Sequence, residues 1–314
     1  MWARHRARTV YELVVDGRAT AQATATGGDL LTIDLATGTV DVLPGAPAVL
    51  EFGGLSDDDK EVEVWLPWNE RTELVALWTD APVEPPPHRG RPRWVHHGSS
   101  ISHGSNAGGP TSTWPALAAS LGGVDLVNLG FGGSALLDPF VARVIRDTSA
   151  DLISLKLGIN VVNTDLMRLR AFVPAFHGFL DTIREGHPHT PLLVVSPIAC
   201  PIHEDTPGPS EMDAASLATG QLRFRAAGDP AEAATGKLTL QVIREELERI
   251  VKLRAADDPH LGYLGGLELY GAADTAERPL PDNLHPDATT QRRIGERFAR
   301  LAFEGEGIFH TQQR

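Results

Sequence analysis

The chain has 314 residues, 42% hydrophobic and 22% charged, enough apolar material for one large domain or two ordinary ones. Its 28 Lys and Arg against 41 Asp and Glu leave a formal charge of −13, so no basic stripe is available to bind nucleic acid or an anionic membrane. A single cysteine, Cys200, excludes an intramolecular disulfide framework and a zinc ribbon, and no apolar run reaches the ~20 residues of a membrane span. The opening stretch, MWARHRARTVYELVVDG, carries basic residues but no apolar segment and no small-residue cleavage site. A cytoplasmic location is expected.

The first ~80 residues read as β structure. TVYELVVDGRATAQATA alternates apolar and polar residues on both sides of Asp16-Gly17, a pair that favours a type I′ hairpin. Short apolar runs follow at 30–35, 39–43, 47–52, 61–67 and 72–79, separated by Gly-, Asp- or Asn-containing turns. Short strands at this spacing predict an antiparallel sandwich over residues 1–85. The stretch APVEPPPHRGRPR (81–93) then carries five prolines, which cannot sit inside a sheet or a helix. It predicts an extended linker at 86–93 and a second domain at 94–314.

Beyond residue 93 short apolar strands alternate with helical patterns. Strands are predicted at 94–97, 124–129, 152–157, 192–198 and 261–269, and helices at 112–121, 139–147, 165–185, 237–256 and 286–303. Such alternation means right-handed βαβ units and a parallel sheet covered on both faces. Ligands of these sheets bind beyond the carboxyl ends of the strands, so the chemistry is sought there.

Four strand-end segments stand out. They are Gly98-Ser99-Ser100-Ile101-Ser102-His103-Gly104, Asn128 to Ser134, Gly158-Ile159-Asn160, and Asp282-Asn283-Leu284-His285-Pro286 ahead of the last helix. Singly, each reads as a turn or a helix cap. Together they hold the parts of acyl transfer. A serine hydroxyl needs a base, and the base needs an orienting carboxylate. Asp282 and His285, three residues apart, can supply both from one loop. The oxyanion needs donors, which the backbone of Gly130–Gly133 and the Asn160 amide can provide.

These four segments, in this order over 94–303, resemble the SGNH hydrolases, the GDSL esterases and lipases. The block GDS-[LI]-T-x-G is similar to Gly98–Gly104 and implies Ser100 as nucleophile. N-x-G-x-x-G is similar to Asn128–Gly133 and implies Gly133 as an oxyanion donor. G-x-N-D resembles Gly158–Asn160, implying Asn160 as the oxyanion amide, and D-x-x-H-P resembles Asp282–Pro286, implying Asp282 and His285 as the rest of the triad. The resemblance also implies an α/β, flavodoxin-like, three-layer domain with a five-stranded parallel sheet in the order 2-1-3-4-5, and no metal or other cofactor. Two positions depart from the pattern: Ser99 stands for the usual Asp before the nucleophile, and Val161 for the Asp after the third-block Asn. Some family members carry a jelly-roll-like β-sandwich ahead of the hydrolase domain, and EVEVWLPWNERTELVAL (61–77) is similar to the end of one. The stretch is short for a complete jelly roll, so either its first strands are expected to be missing or its start codon to be misassigned. Trp65, Trp68 and Trp78 are candidates for a glycan platform, with core packing as the plainer reading.

Several other residues could carry chemistry. His96, His97 and His103 cluster near Ser100 but have no metal-ligand spacing. Because His96 and His97 adjoin on one strand, one is expected to line the cleft and the other to pack or to meet solvent. The polar segment 199–235 is long enough for a lid, with His203, Glu204 and Arg223/Arg225 as candidate substrate contacts. Cys200 is expected to be inert beside a supported serine. The expected function is hydrolysis of a small ester or acylated molecule, of short acyl chain, through an acyl-serine. The alternatives are acyl transfer to an alcohol in secondary metabolism, carbohydrate deacetylation with glycan contact through the sandwich, and a non-catalytic binding protein.

Overall fold

The computed structural model describes residues 9–33, 37, 39–87 and 90–310. The basic chain start, the end of the expected strand 30–35 and positions 88 and 89 of the expected linker lie outside the described residues. The chain divides into two units, Met1–Arg89 with Gly109–Thr111, and Gly90–Gly108 with Ser112–Arg314. The division after residue 89 falls within the proline-rich stretch.

The first unit is antiparallel β. Strands β1 (Val10–Val15) and β2 (Arg18–Thr24) form the hairpin, and β5 (Val62–Trp65) pairs with the other edge of β1. The turn residues Asp16 and Gly17 both have positive φ, 49° and 75°, as a type I′ turn requires. A second ladder joins β3 (Leu30–Ile33) to β4 (Val40–Leu43). The runs 47–52 and 72–79 form no strand. Pro47 denies the first a backbone donor, and Leu74, Val75, Leu77 and Trp78 of the second are exposed. Apolar alternation there meets no partner strand, and without a ladder it does not make a sheet.

The second unit is a three-layer α/β domain. Its parallel strands are β6 (Arg93–Gly98), β7 (Asp125–Gly130), β8 (Leu152–Lys156), β9 (Leu192–Val195) and, past an excursion, β12 (Leu261–Leu264). They lie side by side as β7-β6-β8-β9-β12, the expected 2-1-3-4-5 order. The helices are α1 (Ser100–His103), α2 (Trp114–Gly122), α3 (Pro139–Asp147), α4 (Ile159–Asn163), α5 (Leu169–Gly186), α6 (Ala214–Ala218), α7 (Leu240–Arg254), α8 (Gly266–Leu269), α9 (Ala272–Glu277) and α10 (Ala288–Phe303). Alternate residues of β6 show how the layers are filled. His96 meets Trp114 of α2, which packs on α10, while His97 meets Phe179 of α5, which packs on α3. Local chemistry sets the helix starts: Thr239 Oγ1 caps Val242 N–H, and Asp287 Oδ1 caps Thr290 N–H at 2.7 Å. The second of these caps begins α10 directly after His285-Pro286, which places the histidine at the carboxyl edge of the sheet.

The segment 199–235 is more ordered than a simple connection. It folds into a small hairpin of β10 (Ser210–Met212) and β11 (Phe224–Ala226) enclosing α6. Among the described residues no helix is long and apolar enough to cross a membrane.

Candidate active site

The turn after β6 is shaped by close backbone approach. A side chain on Gly130, at the end of β7, would put its Cβ 2.4 Å from His103 N, so only glycine lets β7 pass beneath α1. Ser99 Oγ accepts from Ile101 N–H at 3.3 Å and caps α1. Serine thus performs here the capping that an aspartate would also perform. Ser100 begins the helix, and Asn128 ties it to the neighbouring strand. Asn128 Nδ2 donates to Ser102 O and its Oδ1 accepts from Gly130 N–H, both at 2.9 Å.

Asp282 and His285 lie in a loop folded on itself. Asp282 Oδ1 accepts from Leu284 N–H at 3.0 Å and from His285 N–H at 2.7 Å, while Oδ2 lies 2.8 Å from His285 Nδ1. Burial works to raise the Asp282 pKa, but these hydrogen bonds outweigh it and hold the carboxyl below its ordinary value. The ionised carboxylate only accepts, so His285 Nδ1 carries the proton it donates and Nε2 is left as an acceptor. His285 Nε2 lies 2.9 Å from Ser100 Oγ, across 185 positions of sequence. The structure therefore brings Ser100, His285 and Asp282 into one hydrogen-bonded row.

The other two expected site residues lie on loops tied to each other by a hydrogen bond, and the first of these loops borders Ser100. A turn closed by Ser134 N–H on Phe131 O, at 3.3 Å, holds Gly133 at φ 73°, and a Cβ on Gly132 would lie 4.0 Å from Ser100 Cβ. Asn160 Oδ1 accepts from Ala135 N–H at 3.1 Å, which fixes the amide with Nδ2 as a donor not hydrogen-bonded to any described residue. Gly158 before it has φ 125°, and a Cβ there would stand 2.7 Å from Ile243 Cγ2, so both conformation and space demand glycine. Val161, in place of the usual acid, is 1% exposed and joins the core.

Two expected substrate contacts are corrected. His203 is fully buried, with Nδ1 3.0 Å from Thr206 O and Nε2 2.6 Å from Ser210 Oγ. Glu204 pairs with both terminal nitrogens of Arg244, at 2.7 and 2.8 Å, and accepts from Cys200 N–H. Both side chains are committed to bracing the 199–235 segment, and neither presents a free group to a ligand. His96 and His97 do point to opposite faces, but both are 0% exposed and neither lines a cleft. Burial, aided by the Glu204 carboxylate, pushes the Cys200 thiol up to about 12, which makes it a poor nucleophile.

Sequence reasoning missed Phe224 and Gln291. Phe224 lies edge-on to the His285 ring at 5.8 Å, its N–H donates to Asp282 O, and its carbonyl accepts from Asn283 Nδ2. The β10–β11 hairpin is thereby fastened to the loop that carries the base. Gln291 is fully buried in α10, donating to Ile101 O and Ser105 O and accepting from Trp114 N–H. Its signal was available as an amide on the apolar stripe shared with Ile294 and Phe298.

Residues 92–204 match the family model of the GDSL-like lipases/acylhydrolases. A search of curated proteins finds no match. Among solved structures, a salicylyl-acyltransferase from a tetracycline biosynthetic pathway is similar over 94% of this chain and 73% of its own, with 26% identity and a TM-score of 0.65. A Bacteroides ovatus protein assigned as a GDSL-like lipase aligns over 93% of this chain and 73% of its own, with 19% identity and a TM-score of 0.61. A family two carbohydrate esterase from Clostridium thermocellum, solved with cellohexaose, aligns over 94% of this chain and 85% of its own, with 13% identity and a TM-score of 0.55. The last two share the fold.

Proposed function

We propose that this chain, whose α/β unit belongs to the GDSL-like lipase/acylhydrolase family, hydrolyses carboxylic esters of short acyl groups through an acyl-serine intermediate. One observation carries this reading: Ser100 Oγ is 2.9 Å from His285 Nε2, and His285 Nδ1 is 2.8 Å from Asp282 Oδ2. Ser100 Oγ attacks the ester carbonyl as His285 Nε2 takes its proton, and Asp282 stabilises the imidazolium that forms. The N–H groups of Ser100 and Gly133 with Asn160 Nδ2 receive the oxyanion. Collapse of the tetrahedral intermediate expels the alcohol, protonated by His285. Water then attacks the acyl-serine by the same route, returning Ser100 and releasing the acid. The substrate is a small ester or acylated molecule, and a net charge of −13 disfavours strongly anionic ones. A cytoplasmic location belongs to the same proposal.

A second reading keeps the acyl-enzyme and replaces water by an alcohol acceptor. The 26% identity to a salicylyl-acyltransferase across 94% of the chain favours it. Glycan deacetylation has weaker support, since the carbohydrate esterase is similar in fold alone and, of the three candidate tryptophans, Trp65 and Trp68 are half-buried and only Trp78 is exposed.

Turnover of p-nitrophenyl acetate and butyrate tests the first half-reaction. Wild type should release nitrophenolate, Ser100→Ala should not, and Asn160→Ala should lose about 10²–10³ in kcat. Equal rates in wild type and Ser100→Ala would refute the serine mechanism. Adding candidate alcohols and separating acid from new ester as products distinguishes hydrolysis from transfer.

A further inference from the structure

Beneath the strand end that carries Ser100 runs a row of buried polar side chains outside the proton relay. Trp94, His96, Ser102 and Ser154 are each 0% exposed. Trp94 Nε1–H donates to Ser154 Oγ at 2.8 Å, Ser154 Oγ lies 2.7 Å from His96 Nδ1, and His96 Nε2 lies 2.8 Å from Ser102 Oγ. The first two residues belong to β6 and Ser154 to β8. Ser102 belongs to α1, two residues past Ser100, so the row runs from the middle of the sheet to the nucleophile turn and ends there.

The imidazole is held as well as bonded. Trp114 meets it edge-on at 4.8 Å and Trp94 at a tilt, 5.5 Å away. Burial, with His97 and Lys156 nearby, keeps its pKa well below the ordinary value, so the ring is neutral. A neutral imidazole offers one donor and one acceptor, and the two hydroxyls flanking it can each take either role.

α1 needs such an anchor. It has four residues, and a single turn gains too little from its own hydrogen bonds to set its geometry. Asn128 holds Ser102 by its carbonyl and His96 holds it by its side chain. Two anchors at different points of one residue fix the rotation of the turn as well as its position.

The geometry points to His96 as a positioning residue that, through Ser102, keeps the α1 turn at the rotation from which Ser100 Oγ reaches His285. This rests on the reading of Ser100 as nucleophile. No proton or bond is exchanged along the row during the reaction. Its contribution is the placement of one oxygen, and displacements near 1 Å cost up to about 10²-fold in rate.

The test reads the rate of Ser100 labelling by a fluorophosphonate, which does not depend on acyl specificity, beside kcat and KM on nitrophenyl esters. Ser102→Ala should slow labelling and kcat about 10-fold or more with KM nearly unchanged. Ser102→Thr, which keeps the hydroxyl, should recover most of the rate. His96→Gln should resemble Ser102→Ala, and the double variant should be no slower than the slower single, since both cut one connection. Wild-type labelling in Ser102→Ala would overturn the proposal. So would equal slowing in the Ala and Thr variants that tracks their loss of melting temperature, because packing alone would then explain both. A wild-type protein that is not labelled, or a Ser100→Ala protein that still is, overturns the nucleophile assignment, and this inference falls with it.

Discussion

In β3 and β4, Leu30, Leu31, Val40, Val42 and Leu43 are between 52% and 66% exposed, whereas every residue of β8 and β9 is buried. The two regions are written with similar apolar residues. They differ in what lies over them. A two-stranded ladder presents both faces outward unless a second layer covers it, and an isolated pair of strands is marginal in water. β8 and β9 lie inside a five-stranded sheet with helices on both faces, so each Leu, Ile and Val is removed from water on all sides. Apolar alternation states which face can be buried, and only the surrounding layers decide whether it is.

The sharpest way to break this comparison is to remove a core ring from the α/β unit. Phe298 is fully buried and stacks on Trp94 at 5.2 Å. Phe298→Ala should cost about 3–5 kcal/mol of stability in denaturant unfolding. A loss near zero would mean that the α2/α10 layer is not the firm one.

An intermediate effect is expected at Asp274. This side chain is 10% exposed and receives Arg297 at 2.6 Å and Arg293 at 2.8 Å. The Arg297 hydrogen bond, working against burial and helped by Gly271 N–H and Arg293, lowers its pKa to about 2. A depressed carboxyl pKa stabilises the fold above the unfolded value near ~3.9 and loses that contribution as pH falls toward about 2. Asp274→Asn should therefore cost about 2 kcal/mol at neutral pH. The difference from wild type should shrink between about pH 4 and pH 2 in pH-resolved melting curves, and a constant difference would assign the loss to packing instead.

The smallest effect belongs to the exposed ladder. Val42, 54% exposed, should tolerate serine within about 0.5 kcal/mol in the same melts. A larger loss would show that β3 and β4 are covered in solution and would erase the contrast.

Much of the site was legible because its signals are local. Asp282 and His285 are close enough in sequence to form their own loop, and a glycine forced to positive φ, as at Gly133 and Gly158, is visible as a residue type. Alternation of elements announced a parallel sheet, and its strand order followed from the resemblance alone. His203 and Glu204 misled because a polar residue in a long segment looks available until its partners, Ser210 and Arg244, are known. His96 misled for the complementary reason. Strand alternation set His96 and His97 on opposite faces, yet nothing local states that Ser154, 58 positions away, waits there to pair with His96.

By itself the sequence determined the five core strands and the five main helices of the α/β unit in their approximate places, and the residue types from which a serine, a base, a carboxylate and oxyanion donors could be drawn. Those properties depend on φ, ψ and periodicity over a few residues. Only the tertiary structure decided that Ser100 and His285 meet at 2.9 Å, that Phe224 closes on the histidine, and that the apolar runs at 47–52 and 72–79 stay unpaired. Each of these needs groups far apart in the chain to be brought together. That energy is set by packing and by the satisfaction of buried polar atoms, which no short stretch of sequence contains.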